Sequence, residues 1–279
     1  MKKLIRQFDN RNRPIVDAGD ATVPHIHFNL IRLPRGGRYA TDLAAVETVW
    51  VVLEGNADIR VDRRVFANVG RRETLWSGKA DSVYAGIGSR VSVESNQDRT
   101  EIAVAGGTCA VAFEPFRIAP GDVEAVDVGS SATKSHRRIE HILGQNAAGR
   151  AGNLLVSELY CEEGCWSGYP PHKHDEENPP DETAFEELYH YRFQPGNGFG
   201  GQFWFDGKGE PEAFMTRNGD TFAFAGGYHP TVTSPGHAEY IFTVLVGNER
   251  RSLIQNFHGE YRHLMDRIPG IAGMREKFK

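Results

Sequence analysis

The sequence predicts an all-β protein, built as an antiparallel barrel or sandwich, and three observations predict it. Short runs rich in Val, Ile, Phe, Tyr and Thr recur along the chain, bounded by turn residues. The 31 glycines and 14 prolines are spread over the 279 residues rather than clustered, as many short strands joined by turns require. The strand pattern also occurs twice, so an internal duplication is expected.

The first copy places strands at residues 25–33 (HIHFNLIRL), 48–53, 57–61, 74–76, 82–85 and 90–94, separated by turn material such as Pro34-Arg35-Gly36-Gly37 and Glu54-Gly55-Asn56. Residues 127–150 are polar and read as a connection with a short helix around 137–143, which leaves His136 and His141 on the surface. The second copy begins at LLVSELY, near Leu154, and continues through 187–193, 202–205, 214–216, 221–224 and 240–246. A C-terminal helix is expected at 258–267, closed by Ile268-Pro269-Gly270, with His258 and His263 toward solvent. The glycine-rich run from Gly196 to Gly201 is a turn between strands, because no Lys-Ser/Thr and no helix follow it as a phosphate-cradling loop needs. The expected organisation is a first barrel at 1–126, a connection at 127–150, a second barrel at 151–249 and a tail with a short helix at 250–279.

A net charge of −5 and a pI near 6.1 leave no electrostatic footprint for nucleic acid or an anionic membrane, so neither is expected as a partner. A small anionic ligand would have to be met by local arginines. The N-terminal MKKLIRQFDNRNRPIVDAG is charged throughout, and no run of about 18 apolar residues occurs, so a cytoplasmic protein is expected. Cys109, Cys161 and Cys165 are an odd set, too few for a disulfide framework, and read as ordinary strand and turn residues.

Chemistry concentrates between Gly164 and Phe193, with an outlying partner at Gly226-Gly227-Tyr228-His229-Pro230. His172 and His174 are two apart, so on an extended strand both imidazoles leave the same face. Glu187 opens the alternating run Glu187-Leu188-Tyr189-His190-Tyr191, and His229 follows a Gly-Gly-Tyr bend. Three imidazoles and one carboxylate suit one divalent ion per chain: zinc first, manganese or iron as alternatives. Asp175, Glu176 and Glu177 lie nearer in sequence and compete with Glu187, which has the advantage of a rigid strand. Aligning residues 46–55 with 185–196 puts Glu47 opposite Glu186 or Glu187, but no His-x-His precedes Glu47 and nothing like GGYHP follows Ser82-Val83-Tyr84. The first half is therefore expected to lack a comparable site. His25 and His27, without further donors nearby, are expected to pack rather than ligate.

YPPHKHD, the FEELYHYRF strand, GFGGQ at Gly198 to Gln202 and the late GGYHP resemble the 5-deoxy-glucuronate isomerases of inositol breakdown, in the wider group with 4-deoxy-5-ketouronate isomerases. The resemblance covers nearly the whole chain. It implies a bicupin, two antiparallel β-barrels in one chain with metal only in the second, and conversion of 5-deoxy-glucuronate to 5-dehydro-2-deoxy-gluconate. The chain departs from that pattern at Phe203-Trp204-Phe205, where the family commonly has a basic residue after the glutamine. A substrate carboxylate would then meet another arginine, or the sugar is less acidic.

Aldose–ketose isomerisation needs a base near C2, a polariser for the carbonyl and hydroxyl oxygens, and a hold on the rest of the sugar acid. By alternation Tyr189 and Tyr191 point the same way as Glu187 and are candidates for proton relay, with barrel filling as the competing reading. Lys173 is a third catalytic candidate, although its position between two ligands turns it away and toward Asp175 or Glu176. Arg192, Gln202, Tyr228 and Tyr240 are the candidate substrate contacts; Arg192 needs a bulge to be re-aimed. Two other functions fit the same donors, an iron-dependent dioxygenase and a non-catalytic sugar-acid binding protein. Pairing of barrels through sheet edges makes a homodimer an expectation.

Overall fold

Alternation at period two governs almost every element of the structure, a computed structural model that describes residues 1–248 and 251–278. The expected border between second barrel and tail, at 249 and 250, lies outside those residues. The chain forms two compact units: residues 9–124 with 142–156, and residues 1–8 and 125–141 with 157–279. Neither is one uninterrupted stretch of sequence, which differs from the contiguous borders read from the sequence.

In the unit containing residues 9–124, a five-stranded sheet runs in the order Phe116–Ile118, Asp81–Ala85, Val46–Glu54, Thr100–Thr108 and Ile26–Leu33. A four-stranded sheet runs Arg38–Asp42, Arg90–Ser95, Ala57–Val61 and Arg64–Val69. Ile31, Trp50, Val52 and Ile102 of the first share a buried cluster with Ile59, Val61, Val91 and Val93 of the second, so the two sheets face each other. Glu47 is fully buried within this unit, and its carboxylate accepts from Tyr84 Oη at 2.6 Å, Gly152 N at 2.7 Å and Leu154 N at 2.9 Å. Gly152 has to be glycine, since a Cβ there would lie 2.8 Å from Glu47 Oε1. His25 and His27 pack as expected: His25 Nδ1 lies 2.7 Å from Thr108 Oγ1 and His27 Nδ1 2.8 Å from Asp17 Oδ1.

A seven-stranded sheet runs Lys2–Ile5, Thr221–Phe224, Phe185–Gln194, Ala238–Gly247, Leu154–Cys161, Arg137–Leu143 and Glu124–Val128. Its third strand, Phe185–Gln194, pairs along ten residues with the central strand Ala238–Gly247, from Phe185 opposite Gly247 to Gln194 opposite Ala238. A four-stranded sheet of Trp166–Ser167, Thr231–Thr233, Phe199–Trp204 and Glu212–Arg217 and a two-stranded ribbon of His172–Lys173 with Asn256–Phe257 complete the second unit.

Four expectations are corrected. Residues 137–143 form a strand rather than a helix, because Arg137, Ile139, His141 and Leu143 alternate on one face, and His141 is consequently buried. Residues 74–76 form a turn closed by Ser77 N donating to Thr74 O at 3.0 Å, not a strand. The helix expected at 258–267 is only a 3-10 segment, Gly259–Leu264, capped by His258; the regular helix lies beyond Gly270, at Ile271–Phe278. The N-terminal residues belong to the second unit: Leu4 pairs opposite Phe222, and Arg6 Nη1 donates to Asp220 Oδ2 at 2.6 Å.

Removing the Glu47 carboxylate takes a buried acceptor from Tyr84 Oη and from the N–H groups of Gly152 and Leu154. We expect Glu47→Ala to lower stability by roughly 3 kcal/mol, read as a lower urea midpoint, with metal content unchanged.

Candidate metal centre

His172 and His174 leave the short His172–Lys173 ribbon strand and its continuation, which enter from the stiff Pro170-Pro171 pair, and Glu187 projects from the strand Phe185–Gln194. His229 sits on a loop that four groups hold. Gly227, at φ +86°, supplies the left-handed turn that a side chain disfavours, and its N–H donates to Asp175 Oδ2 at 2.8 Å. Trp204 Nε1 donates to Gly226 O at 2.7 Å, and Gln202 Nε2 donates to His229 O at 3.0 Å. Asp175 thus ties the loop to the histidine pair.

His174, Glu187 and His229 are all buried, and one ligand atom from each lies within 4.8 Å of the others. Glu187 Oε2 is 3.0 Å from His174 Nε2 and 3.3 Å from His229 Nε2. The ring of His172 is 4.9 Å from that of His229, but its Nε2 faces Gln255 Nε2 at 3.0 Å, so the structure brings three of the four expected donors together and holds the fourth beside them. The three rings share one hydrogen-bonding pattern: Nδ1 of His172 lies 3.1 Å from Pro170 O, that of His174 3.1 Å from Phe185 O and that of His229 2.8 Å from Gly227 O. A carbonyl only accepts, so each Nδ1 carries a proton and each Nε2 is directed inward.

Burial, with the neighbouring His174 ring, holds His172 down to about 3, and burial likewise holds His229 to about 3 against the attraction of Glu187. Both are neutral, with an Nε2 lone pair to give. Burial also works against a charged His174, but the hydrogen bond and charge of Glu187 outweigh it and raise its pKa. A proton between His174 and Glu187 therefore stands where a cation would be shared, while His229 Nε2 has no well-formed hydrogen bond among the described residues. Donor set and orphaned nitrogen fit a divalent ion.

The cluster opens on a cavity of about 40 Å³. Tyr189 and Arg137 line it, with apolar walls from Ile139, Leu159, Leu245, Leu253 and Met274. Thr243 Oγ1 and Gln255 Oε1, also on its lining, are buried without a hydrogen-bond partner among the described residues.

Of the remaining expected site residues, only Tyr189 reaches this cavity. Burial, then the charge of Glu187, raises its phenol well above the ordinary value. Tyr191 is fully buried and donates to Gln202 Oε1 at 2.6 Å, so both belong to the support of His229. Lys173 faces away and pairs with Asp175 at 2.5 Å and with Glu176 and Glu182 at 3.1 Å. Arg192 lies on the opposite face, its Nε 3.1 Å from His190 Nε2, with no bulge to re-aim it. Tyr240, opposite Arg192, donates to Glu158 Oε1 at 2.7 Å, and Tyr228 stacks on Phe205 at 5.1 Å. Phe203, the departure noted in the sequence, stacks on Trp166 at 5.3 Å and does not line the cavity.

Arg137, Thr243, Gln255 and Met274 escape the sequence reading. The alternation Arg137-Ile139-His141-Leu143 was the available signal for the first; Gln255 and Met274 lie in a segment read as a tail.

Comparison with known proteins agrees with the geometry. The chain is 30% identical over 253 residues to a 5-deoxy-glucuronate isomerase of Shouchella clausii, covering 88% of this chain and 89% of that one. It is 30% identical over 243 residues to the 5-deoxy-glucuronate isomerase of Bacillus subtilis strain 168, covering 85% and 86%. The crystal structure of an IolB-like protein from Salmonella typhimurium LT2 superposes with a TM-score of 0.82 at 26% identity, covering 93% of this chain and 94% of that chain. An oxalate decarboxylase of Bacillus subtilis, at 12% identity and a TM-score of 0.60, covers 92% and 79% and shares the all-β cupin fold. The KduI/IolB family model matches residues 3–264, nearly the full length of the strands and the site described above, and the chain belongs to that family.

Proposed function

We propose that the protein is a metal-dependent aldose–ketose isomerase that converts 5-deoxy-D-glucuronate to 5-dehydro-2-deoxy-D-gluconate in inositol catabolism. The observation that carries this reading is the buried His174, Glu187 and His229 cluster, with inward Nε2 atoms, in a chain about 30% identical to proteins bearing that activity in their names. These three residues, with His172 once Gln255 releases it, would hold one divalent ion, zinc before manganese or iron. Such an ion supplies Lewis-acid polarisation of a carbonyl and its neighbouring hydroxyl.

The remaining work falls to the chain itself. The raised pKa of Tyr189 keeps its hydroxyl protonated at neutral pH, so it serves as a hydrogen-bond donor to a substrate oxygen rather than as the base. Leu159, Leu245, Leu253 and Met274 keep bulk water from the reacting carbons. Tyr191 and Gln202 hold the His229 backbone, which limits its ring to one approach. The reading places the enzyme in the cytoplasm, supported by three cysteines that remain free. No helix among the described residues is long and apolar enough to cross a membrane.

Single substitutions separate the ligands from their neighbours. His174→Ala and His229→Ala are expected to lower metal content well below one per chain and to abolish turnover, whereas Glu186→Ala leaves both. Metal loss in Glu186→Ala with retention in Glu187→Ala would put the ligand register off by one. Tyr189→Phe is expected to keep the metal and to lower kcat roughly 100-fold in steady-state assays, as loss of a positioned proton donor does.

A further inference from the structure

Arg137 is a large charged side chain that no charge answers among the described residues. It is 2% exposed, and its guanidinium donates to two backbone carbonyls, Ser135 O at 3.0 Å from Nη1 and Tyr169 O at 3.0 Å from Nη2. Those bonds leave three of its five N–H donors unused. Among the described residues no carboxylate lies within ion-pair distance of it, and the ionisable groups that act on it, Cys161, Tyr189 and Cys165, are thiols and a phenol. Burial lowers its pKa only to about 10, so it remains a cation at neutral pH. Both Glu187 and Arg137 line the cavity, but the ion pair of Glu187 is with His174. A buried guanidinium without an anion is strongly unfavourable, so an anionic ligand brought to it is strongly favoured.

We propose that Arg137 binds the substrate's carboxylate and so makes the cavity selective for a sugar acid over the matching neutral sugar. The proposal rests on the isomerase reading for the identity of the acid, not for the anion site itself. The strand that carries Arg137 is the third neighbour of the strand that carries Glu187, since Ala238–Gly247 and Leu154–Cys161 lie between them. Strand spacing puts the two backbones roughly 14 Å apart. Arg137 and Glu187 nevertheless line one cavity, so a ligand bound there meets the guanidinium at one end and the metal-ligating cluster at the other, as the carboxylate and carbonyl at opposite ends of an open sugar acid require. Ile139, Leu159 and Leu245 between them offer apolar wall to the chain's carbons. A divalent ion on Glu187 would add positive charge to the same cavity, which favours an anionic ligand further. At about 40 Å³ the cavity is smaller than a sugar acid, so entry requires its lining to open, and displacement of Gln255 from His172 would both add room and free the fourth nitrogen.

The test compares the purified metal-loaded protein with its Arg137→Met and Arg137→Lys variants. Isothermal titration calorimetry measures binding of 5-deoxy-D-glucuronate and of 5-deoxy-D-glucose, which replaces the carboxylate with a hydroxymethyl group, and metal content and urea midpoint are read alongside. Wild type is expected to prefer the acid by roughly 50-fold, the strength of a charge-assisted bidentate pair. Arg137→Met is expected to lose that preference with metal retained, its KM for the acid rising more than its kcat falls, and Arg137→Lys to recover part of it. Equal affinity of wild type for the two sugars, or a folded, metal-loaded Arg137→Met that still prefers the acid, overturns the proposal. Should wild type bind the acid through Arg137 but turn none of it over, the isomerase reading fails and the anion site stands.

Discussion

The second unit depends on one oxygen. Glu187 Oε2 lies between the Nε2 atoms of His174 and His229, in a place where water cannot stabilise its charge. A buried carboxylate in that position requires a cation, and a proton on His174 is the one the chain itself can provide. Everything around the cluster limits alternatives to that arrangement: each Nδ1 is committed to a carbonyl, so no ring can turn its donor nitrogen away without leaving a buried N–H unsatisfied.

Support extends outward through groups that never touch the cavity. Asp175 receives the Gly227 N–H while pairing with Lys173, and Glu182 accepts from Asp175 N at 2.6 Å and Glu176 N at 2.9 Å. Lys173 therefore holds Asp175, which in turn holds the loop that carries His229. Tyr191, through Gln202, does the same for His229 from the other side. Both were plausible chemical groups by residue type, and both are used for positioning.

How much of this was legible in the sequence depends on whether a residue's role follows from local alternation. His172, His174 and Glu187 could be placed on faces by period two, and GGYHP announces a bend because Gly227 needs a left-handed backbone. Arg137 is hidden because its strand carries arginine, glutamate and histidine among its apolar positions, so the stretch reads as a polar connection with a short helix; only pairing within a seven-stranded sheet decides the matter. The C-terminal segment reads as a tail since nothing local shows that Asn256–Phe257 pairs with His172–Lys173, or that Met274 reaches the cavity wall. The helix was displaced toward the C-terminus because the stretch from Gly259 to Leu264 has no continuous apolar face to bury, while Gly270, at φ +79°, turns the chain into a second start.

The central claim is that this buried cluster holds a divalent ion and that the ion is needed for an isomerisation. It is tested most directly by elemental analysis of the purified protein together with anaerobic turnover of 5-deoxy-D-glucuronate, before chelation, after it, and after adding zinc, manganese or ferrous iron back. The account predicts metal near one per chain and ketose formation without oxygen, lost on chelation and restored by a divalent ion. Full turnover in protein stripped of metal would contradict it.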